Sequence, residues 1–144
     1  MDYVQLGRTG CRVSRFCLGT GNITRPEYEE QWTQITGEAL DAGINFVDTA
    51  DSYSRGIAES VLGGILAANG RRDDVVLATK AVQKTGEGPN DHGASRYHLV
   101  RAVESSLRRL QTDRIDLLYL HIMDLTTPVE EILETLDTLV QQGK

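Results

Sequence analysis

The chain has 144 residues, 40% of them hydrophobic and 25% charged, which suits one globular domain with a real core. A formal net charge of -6 excludes nucleic acid as a main partner, because a phosphate-binding surface needs an excess of Lys and Arg. Two cysteines are too few for a disulfide scaffold, and no apolar run is long enough to cross a bilayer.

Cys11 and Cys17 read as free thiols of a reducing compartment, with Cys17 expected inside a buried strand. The opening Met1-Asp2-Tyr3-Val4 lacks the basic and apolar regions of a signal peptide, so the expected location is the cytoplasm. The arginine pairs Arg71-Arg72 and Arg108-Arg109 lie near acidic residues and read as solvated helix surface.

In chain order, glycines between short extended stretches from Tyr3 to Ser14 predict a hairpin. The apolar run Phe16 to Leu18, stopped by Gly19 and Gly21, predicts a first buried strand. Pro26 suits the first turn of a helix carrying Trp32, Ile35, Ala39 and Leu40 on one face, with Ala42-Gly43 as its stop. A second strand follows at Ile44 to Val47, then a helix from about Ile57 to Ala68. Val75 to Lys80 is β-branched and nearly all apolar, as a strand covered on both faces should be.

From Ala81 to Ala94 the chain is rich in Gly, Pro, Asn and Asp and predicts a long loop, a length more often functional than idle. Ser95 is placed to cap a third helix, with the stripe Leu99, Val103, Leu107 and Leu110. Ile115 to His121 predicts the fourth strand. Thr127-Pro128-Val129-Glu130 then reads as a capping box, with proline at the first helical position of a fourth helix. Strands alternating with helices imply βαβ crossovers and a parallel sheet. The expected class is therefore α/β, a parallel (β/α) half-barrel of about four units behind an N-terminal hairpin, with residues 1–144 as a single domain.

Four polar residues fall at equivalent places. Asp48, Lys80 and His121 end the second, third and fourth predicted strands, and Tyr53 follows on the turn after Asp48. The C-terminal strand ends of a parallel barrel converge on one mouth, where active sites sit. Singly, each has a structural explanation: a turn cap, a solvated ammonium, a packed phenol, a rim imidazole. Their shared rim is the stronger signal. Such a group suits proton transfer to a carbonyl oxygen. A free tyrosine has a pKa of about 10, and a neighbouring ammonium favours its phenolate. An imidazole could donate to the same oxygen as charge develops there.

The sequence resembles the aldo-keto reductase family along essentially its whole length. Leu6-Gly7-Arg8-Thr9-Gly10 and Cys17-Leu18-Gly19-Thr20-Gly21 look like the family's opening hairpin and first strand. Ala42 through Ala50, with Tyr53, Gly56-Ile57-Ala58-Glu59 and Leu62-Gly63, is similar to a first signature. Ser105 to Leu110, Thr112 to Leu117 and His121 are similar to a second.

By that resemblance Tyr53 is the general acid, Asp48 and Lys80 tune it, and His121 orients the substrate. The activity implied is NAD(P)H-dependent reduction of aldehydes or ketones, with NADPH expected and NADH possible. Gly19, Thr20 and Gly21 would lie along the nicotinamide, with Asp48 near its ribose. Asp124 is assigned to structure or the outer surroundings of the site, and Asp116 to structure. No metal is implied.

The family folds as an eight-unit barrel, typically of about 250 residues. Four units leave an open apolar face and two strand edges, so self-association through that face is expected. The alternative reading is a weak or inactive reductase acting as an interaction or regulatory subunit. No membrane partner is expected.

Overall fold

A computed structural model describes residues Met1–Lys144. The chain begins with an antiparallel hairpin, β1 (Tyr3–Gln5) and β2 (Arg12–Ser14), in which Val4 pairs with Val13. Asn45 ties this hairpin down: its side-chain oxygen accepts from the Ser14 amide at 2.7 Å, and its amide group donates to the Arg12 carbonyl at 3.1 Å.

Behind the hairpin stands a parallel sheet of four strands in sequence order: β3 (Leu18–Gly19), β4 (Phe46–Asp48), β5 (Val76–Ala81) and β6 (Leu117–Leu120). Helices α1 (Glu29–Asp41), α2 (Ile57–Ala68) and α3 (Arg96–Leu110) connect successive strands, and α4 (Val129–Gln141) follows the last. This is a partial (β/α) barrel, as the alternation of elements predicts. Pro26 opens a short 3-10 turn that runs into α1, and Ser95 caps α3 by accepting from the His98 amide.

Side chains alternate across the sheet. Val47 and Leu77 point to the helix side and are fully buried with Leu40, Leu62, Leu66 and Leu110 in the main apolar cluster. Asp48, one position after Val47, and Lys80, three positions after Leu77, therefore face the other side. That open face also carries Tyr119, which sits opposite Lys80 in the register. The core lies wholly between sheet and helices.

Helices α2 and α3 approach closely at Gly63, where an added Cβ would lie 2.5 Å from the Leu110 Cα. Beside that contact the fully buried carboxylate of Glu59 takes hydrogen bonds from Arg109 Nε at 2.7 Å and Thr79 Oγ1 at 2.6 Å. The sheet, α2 and α3 are thus tied by one polar knot, since a buried charge is tolerated only when paired and hydrogen-bonded.

Several sequence expectations are corrected. Arg72 and Arg109 are not solvated surface: Arg72 bridges the Arg114 carbonyl at 2.8 Å and Asp116 at 2.9 Å, and Arg109 grips Glu59. Cys17 is exposed just ahead of β3 rather than buried within it. Pro128 is the N-cap of α4, not its first helical residue, and the Thr127 hydroxyl donates to Asp124 instead of capping. The fourth strand begins two residues later than expected, because Asp116 accepts from the Leu77 amide with its side chain. No helix is long and apolar enough to cross a membrane.

Candidate active site

The site forms where β4 and β5 end. Past Asp48 the turn stays fastened to the neighbouring strand, with the Thr49 amide donating to the Ala78 carbonyl and the Asp51 amide to the Lys80 carbonyl. The turn then tightens through three left-handed residues, Ser54, Arg55 and Gly56, before α2 begins. Gly56 sits at φ +87, and a Cβ there would meet the Arg109 side chain at 2.7 Å, so only glycine fits. Ser54 and Arg55 hold a conformation that L residues adopt sparingly, as backbone often does where a site needs a fixed side-chain direction.

Within this frame Lys80 is the hub. Its Nζ donates to Asp48 Oδ2 at 2.5 Å, to the Thr49 carbonyl at 2.8 Å and to the Tyr53 hydroxyl oxygen at 3.0 Å. All three donors of the ammonium are used. His121, just beyond β6, is fixed by its own amide donating to the Ala81 carbonyl at 2.9 Å. Its ring meets that of Tyr53 edge to face, with centroids 5.7 Å apart. The four polar residues singled out at strand ends thus stand together on one rim.

Gly19, at the end of β3, and Gly21, on the loop after it, lie exposed beside them. Thr20 between them is fully buried and donates its hydroxyl to the Asp48 carbonyl at 3.0 Å, so its side chain turns away from the open face. A Cβ on Gly21 would lie 3.6 Å from the Tyr53 ring, where it would cover the ring's edge.

Electrostatics follow from these contacts. Burial works against the charge on Lys80, but Asp48 and then Tyr53 outweigh it, and the pKa lies above the ordinary lysine value. The group is an ammonium at neutral pH. His121 is pushed down, first by burial and then by the Lys80 charge, which favours neutral imidazole. Cys17 is raised to about 11 by burial and by the charge of the Asp48 carboxylate. Although the residue is exposed overall, its thiol stays protonated.

A hollow of about 860 Å³ lies beside the rim rather than on it. It runs between the loop after β5 and the loop after β6 and includes Lys84, His92, Ile122, Met123 and Leu125, but none of the four rim residues. Asp124 holds its floor by accepting from the Ala94 amide and from the hydroxyls of Thr126 and Thr127, which depress its pKa below the usual carboxylate range. Both acidic residues assigned to structure, Asp116 and Asp124, are bound to backbone amides.

Two contacts had no specific sequence signal. Ser52 Oγ lies 3.4 Å from His121 Nδ1, and the Thr49 carbonyl completes the Lys80 ammonium. Glu59, Gly63 and Arg109 stand inside the motifs that carry the family resemblance, yet nothing in the residues alone pairs them.

A parallel strand-helix sheet with a polar cluster at its C-terminal rim defines a partial (β/α) barrel domain. Residues 15–144 match the Aldo/keto reductase family, and the chain belongs to that family. It is 47% identical to the uncharacterized oxidoreductase YrpG of Bacillus subtilis (strain 168), over 100% of this chain and 47% of that protein. It is 39% identical to a probable voltage-gated potassium channel subunit beta of Oryza sativa subsp. japonica, over 99% of this chain and 44% of that one. The aldo-keto reductase YhdN of B. subtilis is 37% identical, over 100% of this chain and 45% of the relative. The chain therefore spans less than half the length of these curated relatives.

Proposed function

We propose that the chain carries the acid-base half of a nicotinamide-dependent reductase that converts aldehydes or ketones to alcohols. One observation supports this above others: a single ammonium, Lys80, bonds both the Asp48 carboxylate and the Tyr53 hydroxyl oxygen. Because that oxygen accepts from Lys80, the phenolic hydrogen is free to point elsewhere. A carbonyl oxygen placed between Tyr53 and His121 would receive it. The phenolate left behind is favoured by the adjacent ammonium, which Asp48 and the Thr49 carbonyl hold in place.

His121, neutral by the direction of its shift, offers one ring N–H to the same carbonyl oxygen, and Ser52 at Nδ1 helps to fix the ring. The ribbon Gly19-Thr20-Gly21 fits a flat ring laid against the rim, because Gly21 leaves the Tyr53 edge uncovered and a Cβ at Gly19 would meet only open space. Thr20 contributes backbone there, its hydroxyl being engaged by Asp48. Reduced nicotinamide, when bound, would supply the hydride to the carbonyl carbon. NADPH is the expected form, with NADH as the alternative, and Asp48 is the residue assigned near the ribose.

The test is cofactor oxidation by the purified chain with a simple aldehyde. Turnover that Tyr53→Phe abolishes supports the assignment, and an equally active variant overturns it. Tyr119, Ile122 and Met123 are exposed on and beside the open face. We infer that chains of this length pair across it, which sedimentation would read as a dimer. The unpaired thiols suit the reducing cytoplasm.

The likeness to a protein named as a channel subunit beta favours a second reading, an interaction or regulatory subunit on the same fold. Cofactor titration and size exclusion separate the two. A stable hetero-complex without cofactor binding would favour the second.

A further inference from the structure

Behind the rim, on the helix side of the 49–53 turn, lies a second and smaller cavity of about 180 Å³. It is lined by Asp51 from the turn, Thr85 and Asp91 from the long loop, and His98, Arg101 and Arg109 on one face of α3. Two of these residues carry buried atoms with no partner in the protein. Both carboxyl oxygens of Asp51 are unbonded, although the residue is only 2% exposed, and so is Nε2 of His98 on the facing helix.

Buried polar groups left unpaired are rare and costly, and a polar cavity of this size has room for several waters. The neighbouring Ser52 amide lies near enough to Asp51 to favour its charge but forms no aligned hydrogen bond. The unbonded atoms come from two different elements and line the same space. Water held in that cavity and joining Asp51 to His98 would satisfy both.

The position of Asp51 gives this arrangement a consequence. Its amide donates to the carbonyl of Lys80, and two residues later comes Tyr53, whose amide closes the turn on the Ala50 carbonyl. One turn therefore has the acid on its outer side and Asp51 on its inner side.

We propose that Asp51 is a positioning residue: as the neutral acid, bridged by cavity water to His98, it holds the 49–53 turn so that Tyr53 stays in register with Lys80 and His121. Loss of its proton puts a second carboxylate near that of Glu59 in a buried space, and the turn relaxes outward. The charged and titratable groups facing Asp51 are Glu59 from α2, His98, Arg101 and Arg109 from α3, and Asp91 from the long loop. Burial first and Glu59 second raise the Asp51 pKa to about 7, with Arg109 opposing, so the change falls in the physiological range. This inference rests on reading Tyr53 as the acid, but its test does not require turnover.

The experiment is nuclear magnetic resonance of the whole chain with tyrosine labelled at the ring carbon bearing the hydroxyl, the Tyr53 signal being identified by Tyr53→Phe. The Tyr53 resonance is expected to move with an inflection near pH 7. That inflection should vanish in Asp51→Asn and persist in His121→Gln, whose own imidazole would otherwise be the competing cause. The Asp51 carboxyl carbon, followed in the same spectra, should titrate in step with Tyr53. A featureless Tyr53 titration overturns the proposal. So does an inflection unchanged in Asp51→Asn, or an Asp51 carboxyl that titrates in the ordinary carboxylate range. If the chain also turns over, kcat should fall above pH 7 and the fall should be reduced in Asp51→Asn. Absence of turnover in every variant would count against the reductase reading and leave the spectroscopic result standing.

Discussion

The rings of Tyr53 and His121 meet edge to face, with their planes inclined at 81°. Each is brought there by a different strand end, and each is held from behind by a group that is not itself aromatic: Tyr53 by Lys80 and His121 by Ser52. The gap between the phenol and the imidazole is where both could reach a single oxygen. His121→Phe keeps a ring but removes the donor. It should raise KM and lower kcat together in steady-state reduction of an aldehyde, whereas loss of packing alone would leave kcat unchanged.

Removing the ammonium tests the tuning of the acid. Lys80→Met deletes the donor that faces the Tyr53 oxygen and leaves Asp48 without its ion pair. General acid catalysis by a positioned group contributes about 10²–10⁴-fold, and a loss of kcat in that range is expected. Activity within a few-fold of the parent would mean that Tyr53 does not depend on Lys80.

The α2–α3 contact yields an opposed pair of substitutions. At Gly63 an added methyl would press into the backbone of Arg109 and Leu110, and Gly63→Ala should destabilise the fold by about 1–3 kcal/mol. One residue on, a Cβ at Gly64 would meet only the ends of Gln111 and Glu29, both at 3.9 Å. Gly64→Ala should stabilise by about 0.5–1 kcal/mol, the ordinary gain for alanine in a helix interior. Urea denaturation reads both.

The knot around Glu59 predicts a larger cost. Arg109→Met leaves a carboxylate with no exposure and only the Thr79 hydroxyl as partner. Breaking one side of a buried pair typically costs about 3–5 kcal/mol. A urea midpoint close to that of the parent would show the pair to be dispensable.

Stability should also depend on pH through Asp51. Its pKa in the folded chain is about 7 against an ordinary value of 3.8, so the folded state binds the proton more tightly. The stability this contributes is complete below about pH 4 and is lost as pH rises through 7. His98 and His121, both lowered by burial, act in the opposite sense below their ordinary value of 6.5. The difference between parent and Asp51→Asn isolates the carboxyl: the parent should lose stability relative to the variant between about pH 4 and 7 and level off above.

Much of this was legible in the sequence because it depends on local patterns. The helix from Ile57 to Ala68 and the Ser95 cap follow from apolar spacing and capping chemistry. Asp48, Lys80 and His121 were visible because strand ends in a parallel sheet share a rim. What stayed hidden depends on contacts between distant elements. Arg72 and Arg109 look like surface charge until Asp116 and Glu59 are brought against them. Cys17 looks like a strand residue because the run around it is apolar, but pairing with β4 starts only at Leu18. Thr127 and Pro128 carry a capping pattern that Asp124 overrides by taking the threonine hydroxyl. The cavity at Asp51 has no sequence signal, since its walls come from the turn, the long loop and α3.

The most direct test of the central claim follows the hydride. The purified chain would be given NADPH carrying deuterium at the transferable ring position, together with an aromatic aldehyde, and the alcohol product examined by mass spectrometry. One deuterium on the carbinol carbon with the parent chain, and none with Tyr53→Phe, is the predicted result. Alcohol formed without the label, or label transferred equally well by Tyr53→Phe, would contradict it.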